Sequence, residues 1–257
     1  MKIISLILMI CITAMFPNYL LAKDFIAHCR DYPPELYFKD NKCVGAVPEL
    51  VNDIFTELGH NIIWVNASWL RSLKDAKEGR VDLLIRHSMT PERELILRPI
   101  KYADRMRKLS FFKSPALTSE INSYEDLEKV VVGAIRGVFY SPKFAKLDTR
   151  RMIFVEKTEQ LVSMLELNRI DIAVSSASHN RELFENRFEE SSFSDTFYNP
   201  LYISIPKSSA AMKQYDDVAS LMLKYRKNNN IDKYFKKHGL EIPSQFFNDS
   251  PKKEPLQ

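Results

Sequence analysis

Two stretches of this chain repeat one design, and that repeat constrains the fold more than any other feature. In the first, Leu70–Glu78 has leucines at helical spacing, and Gly79 and Arg80 lead into the apolar run Val81–Ile85. A polar turn follows, Arg86-His87-Ser88-Met89-Thr90, and then Pro91-Glu92-Arg93 opens a helix. In the second, Leu161–Leu167 precedes Arg169-Ile170-Asp171, the run Ile172-Ala173-Val174, and the turn Ser175-Ser176-Ala177-Ser178-His179-Asn180-Arg181. Each copy sets an arginine two residues before an aspartate, then a short apolar strand, a serine-bearing turn, a histidine and an arginine. A short, bounded apolar run after a helix is the pattern of a buried strand in an α/β sheet. Two such units imply two similar α/β lobes, each turning a loop into a shared cleft.

The first turn has the chemistry of an anion ledge. Thr90 suits a helix N-cap, with Pro91 at the first helical position and Glu92 in the first turn. Hydroxyls and backbone N–H groups beside a helix start and Arg93 favour negative charge. The plain alternative is an ordinary strand-loop-helix junction with Arg93 in solvent.

The remaining elements alternate in the same way. Phe25–Cys29 reads as a strand, Val47–Leu58 as a helix closed by Gly59, Asn61–Val65 as a strand, and Trp69 to about Glu78 as a helix capped by Ser68. Further strands are expected at Leu109–Phe112, Val130–Ala134, Ile153–Val155 and Leu201–Ile205, with a short helix from Tyr124 and two closing helices at Ala211–Lys227 and Ile231–His238. With no Rossmann or P-loop glycine pattern, a nucleotide site is not expected. Nor is any other cofactor or metal.

The N-terminus speaks to compartment. Lys2, the apolar stretch Ile3–Phe16 and the approach to Ala22 form the layout of a cleaved secretory signal, 1–22, which implies a periplasmic protein. The alternative, an uncleaved anchor, is opposed by the short apolar core and by Pro17-Asn18. Cleavage removes Cys11 and leaves Cys29 and Cys43. Two thiols in an oxidising compartment usually pair, and closing this loop contributes roughly 3 kcal/mol. Two separate buried thiols are the alternative. The formal net charge of +4 comes from scattered lysines, which gives nucleic-acid binding little support. The polar tail 250–257 is expected to be disordered.

Taken together, the loop Tyr32-Pro33-Pro34 after the first strand, Val44-Gly45 before a helix, Trp69 after the second strand, and Gly79-Arg80-Val81-Asp82 leading to Thr90-Pro91-Glu92-Arg93 point to a family. The chain resembles the bacterial extracellular solute-binding proteins of family 3, the periplasmic receptors of polar amino acid ABC transporters. The resemblance implies an α/β, two-lobed periplasmic-binding-protein clamshell. Each lobe would be a mixed, mostly parallel sheet flanked by helices, and two crossover strands would join them. Carried onto this chain, lobe one would be 23–106 plus 200–249, and lobe two 107–199. The implied partners are a small-molecule ligand and an inner-membrane ABC permease or a sensor receptor, with the protein itself a monomer.

The resemblance also implies a site. Tyr32 and Trp69 stand where an aromatic pair sandwiches the ligand. Arg93 stands at the carboxylate clamp, where a guanidinium fork can give two parallel donors. Ser88 and Thr90 are nearby hydroxyls, with Arg86 and His87 in the same turn. In lobe two, Arg136-Gly137-Val138-Phe139 replaces the usual Arg-Gly-Thr-Thr stretch. The acid that pairs with an α-ammonium should fall near Ser176, yet Ser175-Ser176-Ala177 contains none. Either Glu35 substitutes, or the ligand has no α-amino group. Trp69-Leu70-Arg71 is similar to a Pro-Trp-x-Arg motif of part of the superfamily, which brings Arg71 into the candidate set. Arg71, Arg86, Arg93 and Arg136 together favour an anion. Two other functions compete with solute capture for transport. One is a clamshell sensory module; the other is an enzyme using His87 and Glu35 as base and acid.

Overall fold

The computed structural model describes residues 22–176 and 181–243. The expected signal segment before Ala22, the end of the second repeat's turn and the expected tail lie outside these residues. No helix among the described residues is long and apolar enough to cross a membrane.

The first half opens with β1 (Asp24–Cys29), a hairpin of β2 (Tyr37–Lys39) and β3 (Lys42–Val44), and α1 (Ala46–Glu57). It continues through β4 (Asn61–Asn66), α2 (Trp69–Lys77), β5 (Leu83–His87) and α3 (Pro91–Ile96). A long strand, β6 (Leu97–Lys113), then leads into the second half. That half holds α4 (Tyr124–Leu127), β7 (Val132–Ile135), β8 (Met152–Val155), α5 (Thr158–Glu166), β9 (Ile172–Ser176) and α6 (Glu182–Glu185). The chain returns along β10 (Glu190–Pro206) and ends in α7 (Tyr215–Lys227) and α8 (Asp232–Lys237).

The strands lie in the order β4-β1-β5-β10-β6-β9-β7-β8. β4, β1 and β5 are parallel neighbours at one end, and β9, β7 and β8 at the other. Between them β6 and β10 run antiparallel, from Leu97 opposite Pro206 to Phe112 opposite Glu190. These two strands carry the chain between the lobes. The extended runs expected at Leu109–Phe112 and Leu201–Ile205 are the apolar ends of these much longer strands.

Each half has its own core. Leu50, Ile54 and Phe55 of α1 pack with Leu83 and Ile85 of β5 and with Met222 and Phe235 of the last two helices. Burying each such side chain is worth about 1.5–3 kcal/mol. In the second half Leu109, Phe111 and Val174 pack on one side of the sheet, and Phe112, Leu161 and Phe184 on the other. Consecutive residues of β6 thus serve opposite faces, as a pleated strand requires.

Cys29 and Cys43 form a disulfide with Cα atoms 5.8 Å apart, pinning the end of β1 to the β2–β3 hairpin. Gly45, at φ +122°, starts α1 where a Cβ would lie 2.5 Å from the carbonyl oxygen of Glu35. Only glycine lets α1 approach the Tyr32–Leu36 loop so closely.

Candidate ligand-binding cleft

In open α/β sheets ligands lie beyond the carboxyl ends of parallel strands. Here those ends meet in one cavity of about 240 Å³. Arg30 and Tyr32 follow β1, Ser68 and Trp69 follow β4, and Arg86, His87 and Ser88 end β5. From the other half, Gly137, Val138 and Phe139 follow β7 and Glu156 follows β8, while Arg107 projects from β6.

The β5 turn is built around Arg86, whose backbone adopts φ +54°. A non-glycine residue there costs of order 1–3 kcal/mol, so its surroundings must hold it. They do. Arg86 donates to both oxygens of Glu35 from Nε and Nη2, at 2.7 and 3.0 Å. Its guanidinium also lies 3.6 Å from the Tyr32 ring centre. Arg105 of β6 donates to the same Glu35 carboxylate at 2.6 Å. Burial alone would raise the Glu35 pKa, but the charges and hydrogen bonds of Arg86 and Arg105 outweigh it and hold it near about 2. Burial likewise opposes the charge on Arg86, yet Glu35 drives its pKa above the ordinary arginine value.

His87 is buried, and its Nδ1 lies 3.0 Å from the Ser88 carbonyl oxygen. A carbonyl only accepts, so Nδ1 carries the proton and Nε2 keeps its lone pair. Burial, helped by Arg93, Arg30 and Arg86, lowers the His87 pKa to about 3, so the ring is neutral. The Ser88 hydroxyl donates to Asn199 of β10 at 2.9 Å, fastening this turn to a crossover strand.

Arg93 leaves α3 and comes back to the cleft. Thr90 caps that helix by accepting from the Arg93 N–H at 3.4 Å. The Arg93 side chain donates to the Ser88 carbonyl and, at 3.0 Å, to the Gly137 carbonyl of the opposite lobe. Arg107 likewise reaches the Phe139 carbonyl at 2.8 Å and the Ser176 hydroxyl at 3.1 Å. Arg30 donates to the carbonyls of Ile85 and Arg86. The guanidinium carbons of Arg30 and Arg93 lie 4.9 and 4.7 Å from the Trp69 ring centre. Burial lowers the pKa of both to about 10, and Arg86 presses further on Arg30. Arg107 is lowered by burial too. All remain charged at neutral pH.

Of the residues expected from sequence, Tyr32, Trp69, Arg86, His87, Ser88, Arg93, Arg136, Gly137 and Val138 line this cavity. Four do not. Glu35 sits behind it, consumed by Arg86 and Arg105. Arg71 projects outward with 63% of its side chain exposed and pairs with Asp75. Thr90 lines a neighbouring, more apolar cavity. Ser176 is fully buried in β9 and receives Arg107. Arg136 lies at the rim, paired with Glu156 at 3.1 Å.

Arg30 and Arg107 were not read from the sequence. Arg30 directly follows the strand ending at Cys29, so the rule placing ligands at strand ends could have found it. Arg107 had no such signal, because its strand showed only an apolar end.

Residues 25–109 match the family model for bacterial extracellular solute-binding proteins, family 3. Solved structures share the fold over most of the chain. The P235GK mutant of ArgBP from T. maritima is 18% identical with a TM-score of 0.64, covering 85% of this chain and 95% of its own. A histidine kinase sensor domain with similarity to periplasmic binding proteins is 17% identical with a TM-score of 0.67, covering 86% and 97%. A putative L-cystine ABC transporter protein from Listeria monocytogenes is 16% identical with a TM-score of 0.64, covering 84% and 96%. A comparison with curated proteins gave no match. The fold is that of the two-lobed periplasmic binding proteins. Within that class, the match to the family 3 solute-binding proteins covers residues 25–109, about a third of the chain.

Proposed function

We propose that this protein is a periplasmic receptor that closes its two lobes on a small, carboxylate-bearing solute and delivers it to an inner-membrane ABC permease. The observation carrying this reading is the bridge from Arg93 of one lobe to the Gly137 carbonyl of the other, set among further arginines. A guanidinium at the seam of two lobes can hold a carboxylate and draw the lobes together at once. Capture rather than catalysis fits the titrating groups, since Glu35 is locked into ion pairs and His87 is neutral. The likeness to a histidine kinase sensor domain favours one second reading, in which the same closure reports solute to a membrane receptor.

A thermal-shift screen of the mature protein against amino acids and organic acids tests capture. A ligand at 100 times its Kd stabilises the fold by about 2.7 kcal/mol. No shift with any carboxylate contradicts the proposal. Intact mass of periplasmic protein tests export, with Lys23 expected as the first residue and a retained Met1 the contrary result.

A further inference from the structure

Within the cleft the positive charges are only partly balanced. Among the described residues, salt bridges there join Arg86 and Arg105 to Glu35, and Arg136 to Glu156. None involves Arg30 or Arg93, whose described hydrogen bonds go to carbonyl oxygens. Carbonyls satisfy donors but supply no net charge. Each guanidinium also keeps N–H donors beyond those engaged. The remaining lining carboxylate, Asp31, lies at the exposed rim and accepts from the Phe38 N–H at 3.3 Å.

Resting on the capture reading above, we propose that the solute is a small organic dianion without an ammonium group, one negative charge meeting Arg93 and the other Arg30. A single carboxylate would neutralise one guanidinium and leave the second in a closing, dehydrating cleft, where an unpaired buried charge is costly. An ammonium would add another cation to this cluster, where the two lining carboxylates, Asp31 and Glu156, are exposed and already accept from the Phe38 N–H and from Arg136. Burial depresses the pKa of both Arg30 and Arg93, and Arg86 and Arg93 press further on Arg30, a condition that an anionic partner relieves. The indole of Trp69 lies within reach of both guanidinium groups, so a ligand skeleton spanning them rests against its ring.

Calorimetric titration of the mature protein separates the possibilities. Succinate and glutarate represent dicarboxylates and methyl phosphate represents a phosphate monoester. Butyrate is the monoanion matched to succinate, and glutamate keeps two carboxylates but adds an ammonium. At least one dianion is expected to bind about tenfold or more tightly than butyrate and glutamate, and the arm that binds identifies its chemical source. Arg30→Gln should bring the dianion-to-butyrate ratio down to about one, and Arg30→Lys should recover part of it, since charge returns without the fork. Thermal melts check that both variants fold; if Arg30→Gln does not, a reduced ratio in Arg30→Lys carries the comparison. Butyrate binding as well as the dianions, glutamate binding best, or an unchanged ratio in the variants overturns the dianion and leaves anion capture standing. No heat from any of these carboxylates, together with a silent carboxylate screen, overturns both.

Discussion

Residue by residue, the cleft trades buried charge for a fixed geometry. Arg93→Ala removes the cross-lobe donor, and ligand binding is expected to weaken by roughly 2–5 kcal/mol, measured by calorimetry. Arg93→Lys should recover only part, because an ammonium cannot reproduce the planar fork. Glu35 acts differently. It lies behind the cavity, where it holds Arg86 in its left-handed backbone and ties the Tyr32 loop to β6. Breaking a buried ion pair from one side costs about 3–5 kcal/mol, so Glu35→Gln should lower stability in denaturant titrations by that order. The pH dependence has a definite sign. Glu35 has a folded pKa near about 2 against an ordinary 4.5, so its stabilisation is complete above 4.5 and fades as pH falls toward 2. His87, lowered from 6.5 to about 3, resists protonation when folded, so stability also declines as pH falls below 6.5. His28, lowered chiefly by burial, adds to the same loss. Melting temperature should therefore fall between pH 6.5 and 4.5, and His87→Gln should flatten that part of the curve. An identical slope in His87→Gln would show that the ring does not titrate as its burial requires.

Secondary elements place these side chains, and two small features set how closely elements approach. Gly137 has φ +72°, and a Cβ there would lie 2.7 Å from Leu70 Cδ2 on the opposite lobe. Gly137→Ala is thus expected to strain the β7 turn and hold the cleft apart, weakening ligand affinity about tenfold or more. Unchanged affinity would mean that the lobes need not meet at this point. The disulfide closes a short loop, so the Cys29→Ser/Cys43→Ser double variant should lose roughly 3 kcal/mol, seen as a lower melting temperature. Strongly periodic elements were legible from the sequence. Leu50, Val51, Ile54 and Phe55 mark one face of α1, and the helix is found within a residue of its expected ends. The β5 turn and its Thr90-capped helix were legible for the same reason. The crossover strands were not. Arg105-Met106-Arg107-Lys108 in β6 spans the gap between the two cores, so no apolar alternation marks it as strand. The site suffered accordingly. Most expected residues in marked turns line the cavity, whereas Arg107 lines it from a strand that no pattern marks, and Ser176 is buried in β9. Glu35 stands behind the cavity for another reason: sequence cannot show that Arg86 and Arg105 already pair with its carboxylate.

At the scale of the whole molecule, β6 and β10 join two cores, and closure of one core toward the other about these strands is the function proposed here. The links across the seam run from Arg93 to Gly137 and, from the crossover strand, Arg107 to Phe139; they close the cleft with carbonyl oxygens. An anionic solute offers these guanidinium groups a stronger partner than a carbonyl, so binding and closure should be thermodynamically linked. Delivery to a permease and signalling to a receptor both require that linkage, so the choice between them lies in the membrane partner. Small-angle X-ray scattering of the mature protein, with and without a saturating concentration of the anion that stabilises it most, measures the linkage directly. A smaller radius of gyration is expected with the anion present, and no contraction in Arg93→Ala at the same concentration. Identical scattering curves for the wild-type protein with and without a calorimetrically confirmed ligand would contradict the linkage.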